Sequence, residues 1–163
     1  MNCTYEISIF AVEHSGETML YKSTSKIEPM ENQLNQRLAS VFEQIKHTDE
    51  HGNEYWSARE LSKVLEYSEY RHFLPVLARA KEACNNSSQR IIDHFEDLLE
   101  MITTGKTAKR EVESVKLSRY ACYLIVQNAD PNKEIVALGQ TYFAVQTRLQ
   151  EIRQMEEYNQ LST

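Results

Sequence analysis

The chain has 163 residues, 24 acidic and 18 basic, and a formal net charge of −6 with histidine neutral, which excludes a uniformly basic nucleic-acid coat. Its 41% apolar content, four glycines and three prolines exclude a disordered or collagenous chain, and a chain this long builds a sizeable core without staples. Cys3, Cys84 and Cys122 are scattered and odd in number, so they encode neither a disulfide framework nor a zinc ribbon, as suits a reducing compartment.

The N-terminus has no basic segment before an apolar run, and no window reaches the roughly 20 apolar residues of a bilayer-spanning helix. A cytoplasmic protein without membrane contact is expected. From Tyr5 to Thr24 apolar and polar residues alternate around a Ser15-Gly16-Glu17 turn, which reads as a β-hairpin; Ser23 to Met30 reads as a linker. Leu34, Leu38, Val41, Phe42 and Ile45 then form one stripe of an amphipathic helix. The far end of that stretch, Phe42 to His47, also reads as a strand paired with Glu54-Tyr55-Trp56 across the Asp49–Asn53 turn, and both readings stay open.

Ser57-Ala58-Arg59-Glu60 is a capping box, so a helix starts at Ala58 with Leu61, Val64 and Leu65 on its apolar face. After a polar turn at Glu66 to Glu69, Phe73, Leu74, Leu77, Ala80 and Cys84 define a second helix, with Pro75 placing its start near Arg71 or His72. The two form a helix-turn-helix candidate. Ile91 to Ile102 reads as a third helix with Phe95, Leu98, Leu99 and Ile102 inward, ending near Gly105. Glu111 to Leu117 alternates as a strand, and Ser118 caps a compact apolar helix, Arg119 to Asn128. Asp130 and Pro131 read as an N-cap and first helical residue opening a final helix of about 25 residues.

Three groups of residues are candidate sites. The final helix carries Ile135, Leu138, Tyr142, Val145, Leu149 and Ile152 at alternating spacings of three and four, a heptad seam for a homodimer or for packing on the chain's own core. Cations cluster locally: Arg59, Lys63, Arg71, Arg79 and Lys81 on the helix pair, and Lys106, Lys109, Arg110, Lys116 and Arg119 further on. There a phosphate backbone would gain by counterion release, the bland alternative being solvated helix faces. Asp93, Glu96, Asp97 and Glu100 line one face of the third predicted helix, a contact for a basic protein surface if not simply hydrated.

His47, Asp49 and His51 match no metal-ligand spacing, and there is no phosphate loop or nucleophile elbow; Cys84 and Cys122 have no histidine neighbour and fall on apolar helix faces. No catalytic residue, metal or cofactor is expected.

A block running from Tyr55-Trp56-Ser57-Ala58-Arg59-Glu60-Leu61 through Leu65-Glu66-Tyr67-Ser68-Glu69-Tyr70-Arg71-His72-Phe73 is followed by Arg79-Ala80-Lys81-Glu82-Ala83-Cys84. Ala108-Lys109-Arg110, Leu117-Ser118-Arg119-Tyr120-Ala121-Cys122-Tyr123-Leu124, Gln127-Asn128, Asp130-Pro131 and the run from Gly139 to Arg148 then come in order. Together, over roughly Val41 to Glu151, they closely resemble the DNA-damage-inducible protein D (DinD) family and its broader relatives, the BRO-N domains of phage antirepressors.

The resemblance implies a cytosolic, damage-induced (SOS) protein or mobile-element regulator without enzymatic activity, whose BRO-type domain binds DNA. It further implies modulation of the strand-exchange recombinase filament on single-stranded DNA. Arg59, Lys63, Arg71, Lys109, Arg110 and Arg119 lie inside the matching blocks, and Lys106 stands beside them. Glu66 and Ala129 occupy positions where the family commonly has Gly, so neither turn is expected to need a positive φ. The first 30 or so residues have no counterpart in that resemblance, and chains of the family continue well beyond the position of Thr163.

The expected architecture is α+β and mostly helical: an extension over residues 1–31, a BRO-N-like domain over 32–130 with a small antiparallel sheet and a helix-turn-helix-like pair, and a long helix over 131–163. The expected function is non-enzymatic regulation on single- or double-stranded DNA in the damage response. The competing class is an antirepressor-type module that binds a recombinase or repressor without touching DNA.

Overall fold

A computed structural model describes residues 36–37 and 40–162. The expected hairpin over Tyr5 to Thr24, the linker after it, and Leu34 and Leu38 of the first helical stripe lie outside those residues. Residues 40–44 are helical, and the chain then enters strand β1 (Lys46–Thr48), which pairs antiparallel with β2 (Glu54–Ser57). Helix and strand readings of this stretch are thus both realised, one after the other. The connecting turn is tied by Asp49, whose Oδ1 accepts from the backbone N–H groups of His51 and Asn53, each at 2.9 Å.

Ser57 ends β2 and caps helix α1 (Ala58–Val64), accepting from the N–H groups of Arg59 and Glu60. Only half of the capping box forms, because the Glu60 carboxylate meets His47 Nε2 on β1. α1 closes with Tyr67 N–H on the Ser62 carbonyl and Glu66 N–H on that of Lys63, a Schellman-type ending with Glu66 at φ +61°. Contrary to expectation, this turn needs a left-handed residue. Ala129, by contrast, sits at φ −82° in ordinary extended backbone.

Helix α2 (Tyr70–Asn86) starts slightly earlier than Pro75 predicts and carries that proline in its second turn, where the Arg71 carbonyl loses its helical donor. Burial of Phe73, Val76, Leu77, Ala80 and Cys84 offsets the loss. Leu74, expected inward, is 46% exposed.

The largest departure follows. Ile91–Asp93 is a single 3-10 turn, and Phe95–Thr104 is not a helix but strand β3, paired in unbroken antiparallel register with β4 (Ala108–Leu117) from Phe95↔Leu117 to Thr104↔Ala108. Phe95, Leu98, Leu99 and Ile102 satisfy a helical period, but Ile102, Thr103 and Thr104 are β-branched and Gly105, at φ +70°, turns the chain back onto a strongly alternating partner. Cross-strand pairing wins over local period.

Ser118 caps α3 (Arg119–Asn128) as expected. The last helix, α4 (Glu134–Leu161), is about 42 Å long at 1.5 Å per residue. It starts three residues later than Pro131 suggests, because Asp130 folds back on itself: its Oδ1 accepts from Asn132 N–H and its carbonyl from Lys133 N–H.

The sheet order is β1-β2-β4-β3, all antiparallel. β2 meets β4 only at Trp56↔Leu117 and Ser57↔Lys116. Beyond those two pairs, β3 and β4 run on alone as a two-stranded ribbon of roughly 25 Å. The core at its root joins Trp56, Leu61, Leu65, Phe73, Leu117, Ile125, Val126 and Val136, so sheet, helix pair, α3 and the start of α4 share one interior.

Candidate nucleic-acid interface

The ribbon is anchored by Arg59, whose Nε donates to the Glu113 carbonyl at 2.7 Å while its guanidinium lies 4.1 Å from the Tyr70 ring centroid. The buried hydroxyls of Ser57 and Ser114 meet beside it at 3.3 Å. Burial raises the Tyr70 phenol above its ordinary range, against the Arg59 charge, so that ring stays neutral. Arg59, expected to meet phosphate, buttresses the ribbon from below.

Two more of the expected DNA contacts are tethered, these by carboxylates. Arg71 forks onto Glu69 at 2.8 and 3.0 Å. Arg119 grips Glu54 and reaches Glu43, with its guanidinium 5.0 Å over the Trp56 ring. The hydrogen bond from Arg119 leads the causes that hold the Glu54 carboxyl below its usual range. Lys116 is tied to Asp49 at 3.3 Å and to Glu96 at 3.6 Å.

Lys63, Lys106, Lys109 and Arg110 differ from these: all four are exposed, and none enters an ion pair among the described residues. Lys106 lies in the ribbon turn, Lys109 opposite Thr103 and Arg110 opposite Ile102. Three cations therefore gather at the ribbon tip. Lys63 lines a groove of about 790 Å³ with Arg59, Tyr67, Tyr70 and the Leu98–Thr103 stretch of β3.

The four-acid helix face does not exist as such. In a strand, Glu96 and Glu100 share one side with Leu98 and Ile102, while Asp97 points to the other with Leu99 and Met101. Asp93 sits in the 3-10 turn against Arg90 at 3.6 Å. Of the heptad seam, Val145, Leu149 and Ile152 are buried in the single chain, and Leu138 and Tyr142 are half-buried. Val136 and Gly139, off the seam, face the core. Sequence reasoning missed Leu99 and Met101 as surface residues, 63% and 61% exposed; the β-branched run before Gly105 was the signal that could have found them.

Cys84 and Cys122 are buried, and burial pushes both thiols up, as inert core thiols require. Among the described residues no three His, Cys, Asp or Glu side chains gather as a metal site, and no helix is long and apolar enough to cross a membrane.

This is the shape of a small α+β module that holds a β-ribbon with a cationic tip out from a helical body. Residues 44–144 match the N-terminal domain of the BRO family, and the chain belongs to that family. It is also similar to DNA damage-inducible protein D of Escherichia coli (strain K12), with 59% identity over 120 residues, 74% of this chain and 44% of the relative. The chain thus spans less than half the length of that curated relative. No solved structure matches it.

Proposed function

We propose that this domain is a non-enzymatic regulator in the DNA damage response that binds DNA through the tip of its β3–β4 ribbon. The observation that carries the reading is the contrast between the tethered cations, Arg59, Arg71, Lys116 and Arg119, and the unpaired Lys106, Lys109 and Arg110 at the tip. Unpaired lysine and arginine are free to displace counterions from phosphates without first breaking an internal bond. A two-stranded ribbon also has the width that the major groove admits. Net charge is no obstacle, because exposed charges more than a Debye length apart, about 8 Å at physiological salt, are largely screened from one another. Lys63, at the groove behind the ribbon, extends the cationic track towards the helix pair.

Likeness to a damage-inducible relative supports a role in the damage response; within that role the SOS response and recombination, with the strand-exchange recombinase filament or a repressor as the regulated partner, are part of the proposal. The test is fluorescence anisotropy with single- and double-stranded DNA between roughly 50 and 200 mM salt. Affinity should fall steeply with salt, and Lys109→Ala with Arg110→Ala should flatten the slope by about one for each lost phosphate contact. Absence of binding to either DNA at the low-salt end would refute the reading.

A further inference from the structure

On the groove side of β3 one carboxylate stands between two apolar side chains. Leu98, Glu100 and Ile102 alternate along the strand, so they share one side of the ribbon, and all three are half-buried in the groove lining. Two carboxylates line this groove. Glu60 is taken by His47 Nε2, whereas Glu100 has neither a hydrogen bond nor an ion pair among the described residues. Its oxygens are therefore acceptors for whatever enters. The lining also holds Tyr70 with Arg59 over its ring, and the exposed, unpaired Lys63. Arg110 lies directly across from Ile102, on the same side of the ribbon. The reverse side carries Asp97, Glu111 and Glu113, all exposed. A phosphate chain leaving the cationic tip is thus drawn along the groove side and repelled from the other.

We propose that this groove reads an unpaired guanine in single-stranded DNA, with Glu100 as the residue that selects the base. The proposal rests on the reading that the domain binds DNA through its ribbon tip. Guanine is the base whose Watson–Crick edge offers two adjacent donors, N1–H and the 2-amino group, and a carboxylate accepts both in a forked pair. Cytosine and adenine offer one amino donor beside a ring-nitrogen acceptor, which would confront the second carboxylate oxygen; the single N3–H of thymine stands between two carbonyls. Pairing in a duplex occupies the same guanine donors, so the base is read only when unpaired. Its ring would lie against Leu98, Ile102 and the Arg59 and Tyr70 pair, surfaces of the kind on which unstacked bases rest. A groove of about 790 Å³ is of the size that encloses a compact ligand, and so takes a nucleotide with part of its neighbours. An arginine from a protein partner also forks onto a carboxylate, but Arg59, Lys63 and Arg110 would repel it while attracting phosphates.

The probes are fluorescein-labelled oligothymidylates about 12 nucleotides long, each with one central guanine, hypoxanthine, adenine or cytosine, titrated with the full chain at low salt. The guanine probe should bind about tenfold more tightly than those with adenine, cytosine or thymine alone. Hypoxanthine, which keeps N1–H and lacks the 2-amino group, should fall between. Annealing the complementary strand should abolish the preference. Glu100→Gln, which keeps the size of the side chain and replaces one acceptor by a donor, should remove the guanine preference with circular dichroism unchanged. Lys63→Ala, and Lys109→Ala with Arg110→Ala, should weaken every probe alike and leave the preference in place. Equal affinity for all the probes would overturn the guanine site while leaving the DNA reading intact, as would a preference that survives Glu100→Gln or pairing. No binding of any probe at low salt, nor of duplex, would overturn both. Binding of a labelled arginine peptide that Glu100→Gln abolishes, with all probes equal, would give the groove to a protein instead.

Discussion

Arg119 holds Glu54 with two hydrogen bonds, from Nε at 2.7 Å and Nη2 at 2.9 Å, across 65 positions of sequence. The pair pins the first turn of α3 to the start of β2, and the same guanidinium covers the Trp56 ring. Forked geometry and stacking together are worth about 1–2 kcal/mol even at a half-exposed site. Arg119→Ala should lower unfolding free energy by about that amount in urea. Arg119→Lys should recover only part of it, because an ammonium cannot fork. Neither variant should change the salt slope of DNA binding, and a flattened slope would return Arg119 to the interface.

Glu66 occupies a left-handed conformation that costs a residue with a Cβ roughly 1 kcal/mol. The useful contact at this position is made by its carbonyl, which accepts from Lys133 Nζ at 2.8 Å, and any residue supplies that. Glu66→Gly should therefore stabilise the domain by about 1 kcal/mol and raise its thermal midpoint. A lower midpoint would mean that the side chain matters in a way the geometry does not contain.

At Gly139, α4 packs directly on Val126 of α3. A Cβ built there would lie 2.5 Å from Val126 Cγ1, a stiff side chain in the core. Gly139→Ala gains helix propensity but forces the helices apart, and the balance should be a loss of about 1–3 kcal/mol in urea unfolding. Gly139→Ala with Val126→Ala should recover part of that loss.

Asp49 is held at about 2, chiefly by the Asn53 backbone N–H, then by that of His51, the Asn53 side chain and Lys116, with burial opposing them. A carboxylate whose pKa is depressed on folding stabilises the fold above its unfolded value, near 4, and loses that contribution as pH falls through the folded value. The stability difference between the wild type and Asp49→Ala should be constant above about pH 5 and shrink between about pH 4 and 2. Trp56 fluorescence in a denaturant series at each pH reads it. A difference that persists unchanged below pH 2 would mean the charge of Asp49 is not what ties the turn.

Much of the helical body was legible because its signals are local. A hydroxyl at Ser57 or Ser118 caps the next three amides wherever the chain goes, and the apolar spacing of α1, α2 and α3 names the faces that become core. Family membership was legible for a related reason: it rests on runs of identical residues in order, which need no geometry. The ribbon was not legible in the same way. Phe95, Leu98, Leu99 and Ile102 fit a helix as well as a strand, and only the ladder to β4 decides between them.

That decision also remade the candidate sites. Residue types and the clustering of cations and acids follow from the chain alone, since charge and period are properties of neighbours in it. Which of those charges are held within the fold and which are free depends on how distant segments meet in space. The partners of Arg59 and Arg119 lie more than 50 positions away, whereas Lys106, Lys109 and Arg110 stand at the end of a ribbon with no carboxylate in reach of an ion pair among the described residues. An ion pair depends on separation in space, falling off within a few ångströms, and no pattern along the chain records that distance.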